Sequence, residues 1–209
     1  MPAVRSSRTA RREPLSVERI TAAALDLVDR DGLDALSMRK LGAELGYEAM
    51  ALYKHVPDKE TLIDLVVASV FADMALPDPT APWAERLRHS AAELRRVGLA
   101  HPHLLTRMVT NPPTALAVQE RIDAILGALR EASADDAAAV RWFWMFVSYT
   151  SGALLAESAA ARDASPIVSD ELPAAACPVL AELGVRLATC DFGDEFAWGI
   201  DAIVDQVSR

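Results

Sequence analysis

Apolar residues recur along this chain at intervals of three and four, and no stretch worth naming alternates at intervals of two. That periodicity predicts an all-α protein. Ser16 stands where an N-cap belongs, and Ile20, Ala23, Ala24, Leu27 and Val28 follow on one helical face up to Asp31-Gly32. A second short helix starts behind the hydroxyl of Ser37 and sets Met38, Leu41 and Leu45 on one side. It ends at Gly46, because glycine adopts a left-handed C-cap without a Cβ penalty. A third helix is expected from Glu48 to His55, with only Leu52, helped by Met50 or Tyr53, as an anchor to its own domain. Pro57-Asp58 breaks the chain, and Asp58 caps a longer helix reaching Met74, with Leu62, Leu65, Val66, Ser69 and Val70 facing inward.

The run Pro77-Asp-Pro-Thr-Ala-Pro82 is the clearest hinge. Beyond it the pattern predicts helices over 83–100, 102–110, 114–132 and 135–161, a polar mobile loop over 162–173, and two last helices over 176–188 and 194–208. The expected organisation is a disordered Arg-rich arm (1–15), a small three-helix domain (16–62) and a larger helical domain (63–209).

Charge changes the picture. The net formal charge is −9, which by itself argues against a polyanionic partner. Residues 1–60, however, hold ten Lys/Arg and ten Asp/Glu, so the whole deficit belongs to the remainder, and Arg5, Arg8, Arg11 and Arg12 precede any acidic residue. Phosphate binding needs a local basic face rather than a basic protein. The asymmetry fits one end that meets nucleic acid and a body that avoids it.

The chemistry-bearing residues exclude more than they offer. His55, His89, His101 and His103 lack metal-ligand spacing, and no nucleophile elbow or phosphate loop is present, so neither an enzyme nor a metal or cofactor site is expected. Cys177 and Cys190 read as two separate thiols in a reduced cytoplasm. No run reaches the length of a membrane span and no secretory signal opens the chain, so a cytoplasmic protein without a membrane partner is expected.

The short helices around Gly46 suit a helix-turn-helix. A reading helix must fit the major groove, anchored on one side and free of apolar bulk on the other. Ala49 and Ala51 permit close approach. Tyr53, Lys54 and His55 offer a phenol, an ammonium and an imidazole, and Arg39, Lys40 and Lys59 flank them as phosphate clamps. Spacing alone leaves open a plain helical hairpin with a solvated face, or a helical module that binds protein instead of DNA.

The segment Leu36-Ser-Met-Arg-Lys-Leu-Gly-Ala-Glu-Leu-Gly46, then Ala49-Met-Ala-Leu-Tyr-Lys-His-Val-Pro-Asp-Lys59 and Leu62, closely resembles the N-terminal domain of the tetracycline-repressor family. The likeness extends upstream through 20–33 and covers about residues 16–65. It implies a homodimeric repressor that sets two heads in successive major grooves of a palindromic operator and is released by a small-molecule effector. It further implies DNA contacts from Ser37, Met38, Arg39, Ala49, Met50, Tyr53, His55 and Lys59, to which the side-chain chemistry adds Lys54.

After Pro82 the likeness is looser, carried by Trp83, Ala100-His-Pro102 and a glycine behind an aromatic helix, and it implies effector binding and dimerisation. The run Trp142-Phe-Trp-Met-Phe146 with Tyr149 places aromatics almost all round one helix, which must then be covered on nearly every side. The interface expected between two chains uses Trp144, Tyr149, Gly152, Phe196, Ile200, Ile203 and Val204; the alternative is that these fill a monomer core. The expected effector pocket mixes large apolar walls with a few polar groups, from His101, His103, Met108, Asn111, Phe143, Phe146 and Thr150. The positions where the antibiotic's magnesium-binding histidine and its acidic neighbour would fall hold Met108 and Ala156, so the resemblance does not imply tetracycline as the effector.

Overall fold

The computed structural model describes residues 14–162 and 175–207. The expected arm, Pro14 and Leu15 excepted, and the expected loop, Arg162 excepted, lie outside the described residues. Every regular element among the described residues is helical. They are α1 (Val17–Asp31), α2 (Met38–Leu45), α3 (Ala49–Leu52), α4 (Lys59–Ala72), α5 (Trp83–Ala100), α6 (Leu105–Thr110), α7 (Leu116–Ala132), α8 (Asp136–Arg162), α9 (Pro178–Ala188) and α10 (Phe192–Val207). A single 3-10 turn, Leu33–Ala35, joins α1 to α2. The chain divides into two compact units between Val66 and Val67, so α4 begins in the first and ends in the second.

The caps act as their residue types require. Ser16 Oγ accepts from the Arg19 N–H (3.2 Å) and Ser37 Oγ from the Lys40 N–H (3.2 Å), each satisfying one orphan donor of a first turn. Asp58 Oδ1 accepts from the Thr61 N–H (2.7 Å) to open α4, and that bond holds its carboxyl below the usual range. Gly46 closes α2 at φ 76°, in the left-handed region.

Several boundaries differ from the sequence expectation. The regular part of α3 is one turn, Ala49–Leu52, because Pro57 keeps Val56 out of helical conformation and the chain tightens before it. There the His55 and Val56 N–H groups both donate to the Leu52 carbonyl (2.9 and 3.0 Å). Pro102 does not open α6, which starts only at Leu105. α10 starts at Phe192 rather than Asp194, since Asp191 Oδ1 accepts from the Gly193 and Asp194 N–H groups (2.8 and 3.0 Å) as a cap.

In the first unit Ile20, Ala24, Leu27 and Val28 of α1 close on Leu41, Leu52 and Val56, all fully buried. The inward face of α4 is Leu62, Ile63, Val66, Val67 and Val70, so Leu65 and Ser69 are half-buried and the expected face is turned by one position.

In the second unit α5, α7, α8 and α10 share a core with Leu87, Leu129, Phe146, Phe196, Ile200 and Val204. Burying one such side chain contributes about 1.5–3 kcal/mol. Polar links also tie these helices. Arg95 on α5 grips Glu157 on α8 with two bonds (Nη2–Oε1 2.5 Å, Nε–Oε2 3.0 Å) and lies 5.9 Å over the Phe196 ring. The Tyr149 hydroxyl donates toward the Glu195 and Phe196 carbonyls (2.7 and 3.2 Å), with its ring laid on Gly199, where a Cβ would stand 2.0 Å from it.

Candidate functional site

The residues expected to meet DNA lie in the first unit. Arg39, Met50, Tyr53, Lys54 and His55 are exposed, Met50 by 69% and Tyr53 by 43%. Ser37 is also exposed; Ala49 and Lys59 are half-buried. Met50 and Tyr53 therefore do not anchor α3. Leu52 does, together with Val56, a residue the helical spacing passed over because it follows the end of α3.

Met38 is a correction. The residue is 5% exposed and its side chain lies in the core, so it offers no side-chain contact to DNA. The same face carries Leu41, and one side chain cannot serve core and partner together.

Lys40, expected as a phosphate clamp, forms an ion pair within the head while its side chain stays 40% exposed. Its Nζ pairs with Asp31 Oδ2 (2.8 Å), while Arg30 pairs with both Asp31 and Glu44. Hydrogen bonds from Arg30 and Lys40 bring the Asp31 carboxyl down to about 2. With Lys40 engaged, Arg39 is the cation that α2 offers outward.

One residue of this surface was not legible as functional. A Cβ on Gly42 would lie 2.8 Å from the Tyr47 carbonyl oxygen and 3.2 Å from the Ala49 nitrogen, both backbone atoms. Gly42 thus lets α3 approach α2, and the Tyr47 N–H donates to the Gly42 carbonyl (2.8 Å) across the same contact. Its signal was a glycine inside a short helix, which costs about 1 kcal/mol against alanine and so needs a packing reason.

The second unit encloses a cavity of about 380 Å³. Phe71, Leu94, Leu105, Met108, Val109, Val118, Ile122, Ile125, Phe143, Trp144, Val147 and Leu154 form its apolar wall, with Thr110, Arg121, Thr150 and Ser151 as its polar points. Met108, Phe143 and Thr150 line it as expected. His101, His103, Asn111 and Phe146 do not. His101 closes the C-terminus of α5 and Asn111 that of α6, His103 is exposed, and Phe146 is fully buried in the core on another side of α8. The Thr150 hydroxyl already donates toward the Phe146 and Val147 carbonyls of its own helix (2.8 and 3.2 Å). Arg121, Phe71 and Ser151 were missed, because helical spacing does not show which of several inward positions faces a void.

The expected dimer residues divide sharply. Phe196, Ile200, Ile203 and Val204 are 3–7% exposed within the single chain, so its own core covers them and they offer no face to a second copy. Tyr149 is half-buried on Gly199. Trp144 (61% exposed) and Gly152 do face outward, as do Met145 (53%) and, on α10, Trp198 (71%). A Cβ at Gly152 meets nothing within 4 Å in the chain, whereas Gly199 packs within it on Tyr149.

Comparison with known proteins decides the family. Residues 20–66 match the bacterial regulatory proteins of the tetR family, and residues 76–208 match the tetracyclin repressor-like C-terminal domain. The chain belongs to the tetracycline-repressor (TetR) family. It is a helix-turn-helix transcriptional regulator, and the match to the head covers α2, α3 and the exposed set above. An HTH-type transcriptional regulator of Saccharopolyspora erythraea is 40% identical over 140 residues, which span 65% of this chain and 59% of that protein. The tetracycline repressor protein class E of Escherichia coli is 30% identical over 193 residues, covering 91% of this chain and 89% of its own. Among solved structures, the TetR family protein ActR of Streptomyces coelicolor in complex with actinorhodin superposes with a TM-score of 0.80 at 28% identity, covering 93% of this chain and 95% of that one.

No helix among the described residues of this TetR-family regulator is long and apolar enough to cross a membrane, and no group of three or more His, Cys, Asp or Glu there is arranged to hold a metal ion.

Proposed function

We propose that this regulator is a cytoplasmic repressor that binds a palindromic operator as a homodimer and leaves it when a small molecule enters the cavity of its second unit. The observation that carries this reading is the exposed set Arg39, Met50, Tyr53, Lys54 and His55 on a head whose own core is closed without them. A soluble head has no folding reason to expose a methionine and a tyrosine beside two cations and an imidazole; a groove of DNA supplies one.

The roles divide by chemistry. Arg39 reads a guanine edge, where a guanidinium forms two parallel hydrogen bonds, and Tyr53 contributes a hydroxyl. Ala49 and Met50 supply few hydrogen bonds and meet thymine methyl groups. Ser37, Lys54, His55 and Lys59 hold phosphates and set the register without reading sequence. The dimer forms through the outward faces of α8 and α10, on Trp144, Met145, Gly152 and Trp198 rather than on the buried residues of α10.

Release follows from a difference in affinity. An effector that binds one arrangement of the body better than another shifts the population by that difference, and α4 carries the change because it runs from the body into the head. The cavity's volume and apolar wall support an effector of several rings, as does the likeness to ActR, whose structure holds actinorhodin.

Selection of binding sequences from random DNA tests this reading. The expected motif has two inverted half-sites whose centres lie about one helical turn apart or a multiple of it. Enrichment of no sequence, or of a single unrepeated half-site, would overturn it.

A further inference from the structure

Among the described residues, the one ionic side chain on the cavity wall is also bound to the end of α4. Arg121 Nη2 donates to the Met74 carbonyl (2.6 Å) and to the Ala72 carbonyl (3.3 Å), the last carbonyls of α4 and of the turn behind it. Those oxygens have no partner within their helix, so a cation there caps the helix and meets the negative end of its dipole. Nη1 donates to the Ala117 carbonyl (3.2 Å) and pairs with Glu120 (3.0 Å). Nε is buried and has no hydrogen-bond partner among the described residues. A buried guanidinium nitrogen without a partner is costly, and an acceptor brought by a ligand removes the cost. The aromatic part of the wall is Phe71, itself on α4, with Phe143 and Trp144 set edge to face at 5.5 Å.

We infer that the cavity takes a ligand of fused aromatic rings carrying an anionic oxygen, and that Arg121 is both its specificity residue and the trigger of the response. The rings lie among Phe71, Phe143 and Trp144. The anion draws the guanidinium toward itself, and the carbonyls of Ala72 and Met74 lose their cap. Arg96 holds the same turn from α5, donating to the Asp73 carbonyl (2.8 Å) and pairing with the Asp73 carboxylate (2.9 Å), so the turn loosens rather than unfolds. Among the residues that bind this turn, Arg121 is the one that also lines the cavity. The inference rests on the ligand-responsive reading above, but its core is tested without DNA.

The probes are two fluorescent dyes of one skeleton, anilinonaphthalene sulfonate, which is anionic, and N-phenylnaphthylamine, which is not. The full chain is expected to bind the sulfonate at least about tenfold more tightly, the factor of a charge-assisted hydrogen bond. Arg121→Met should abolish that preference while still binding the neutral dye, and Arg121→Lys should restore part of it. Val147→Trp, which fills the cavity, should exclude both dyes. In the wild type the sulfonate, and not the neutral dye, should speed amide exchange at Asp73 and Met74, whose N–H groups bond to the carbonyls of Ser69 and Phe71. Equal affinity of the two dyes for the wild type overturns the specificity role, and the wild-type comparison stands even if Arg121→Met fails to fold. Unchanged exchange under saturating sulfonate overturns the trigger. Failure to select an operator would instead fall on the repressor reading, since none of these readouts uses DNA.

Discussion

Replacing Gly42 and Gly127 by alanine, one at a time, applies the same chemical change to two helices and should give opposite results. In both, alanine recovers up to about 1 kcal/mol of helix propensity. At Gly127 on α7 the new Cβ meets nothing within 4 Å, so that gain stands and the body should be more stable by about 0.5–1 kcal/mol. At Gly42 the Cβ would sit 2.8 Å from a carbonyl oxygen and 3.2 Å from a backbone nitrogen, and neither can swing aside as a side-chain tip does. Forcing extra volume into a packed contact costs about 1–3 kcal/mol, occasionally more. The net for Gly42→Ala is a loss of up to about 2 kcal/mol in the head. The displacement falls on α3, so operator affinity should drop further than stability does. The two units can be read separately by denaturant unfolding, because all four tryptophans (Trp83, Trp142, Trp144 and Trp198) lie in the second. Tryptophan fluorescence should follow the Gly127→Ala gain and ignore Gly42→Ala, whereas circular dichroism and DNA binding should register the latter. A Gly42→Ala protein with wild-type stability and operator affinity would refute the argument that α2 and α3 touch through this glycine.

Three further outcomes follow from the same structure. The Asp31 carboxyl titrates at about 2 when folded against 3.8 as a free side chain, so the folded head binds fewer protons than the unfolded chain. Its contribution is present above 3.8 and lost as the pH falls through about 2; Asp31→Asn should flatten that part of an acid-unfolding profile. Gly199→Ala drives a Cβ to 2.0 Å from the Tyr149 ring, so the ring must swing off the carbonyls it bonds; the cost should be at least that of Tyr149→Phe, which only removes the hydroxyl and should cost about 0.5–1.5 kcal/mol by thermal unfolding. Trp198→Asp should weaken self-association in sedimentation by at least tenfold (~1.4 kcal/mol) with little change in unfolding, whereas Ile203→Ala should cost about 2–5 kcal/mol of stability.

The all-helical class, the order of the elements and the exposure of Arg39, Met50, Tyr53, Lys54 and His55 were legible in the sequence, because caps and helical spacing are local and Ser16, Ser37, Gly46 and Asp58 act where they stand. What was not legible depends on the third dimension. Spacing marks Phe196, Ile200, Ile203 and Val204 as an apolar face but does not say whether α5 and α8 or a second chain covers it; here α5 and α8 do. Met38 shares its face with Leu41 and was claimed for both core and DNA, and the core took it. In the cavity, a residue such as Arg121 looks like an ordinary solvated cation in the sequence until its bonds to the Ala72 and Met74 carbonyls place it at the end of α4. Histidines at 101 and 103 attracted attention for their chemistry, yet their backbone positions, a helix end and the exposed turn after it, keep them out of the cavity.

Whether the first unit reads DNA is decided by titrating the full chain against the selected operator and a scrambled duplex across a range of salt concentrations. Binding should be tighter to the operator at every salt concentration, with affinity falling linearly on logarithmic axes as salt rises. Lys59→Ala should weaken binding to both duplexes alike and reduce that slope by roughly 1 per chain, while Arg39→Ala should narrow the gap between them. Binding that does not distinguish the duplexes, or that salt leaves unchanged, would contradict DNA reading by the first unit.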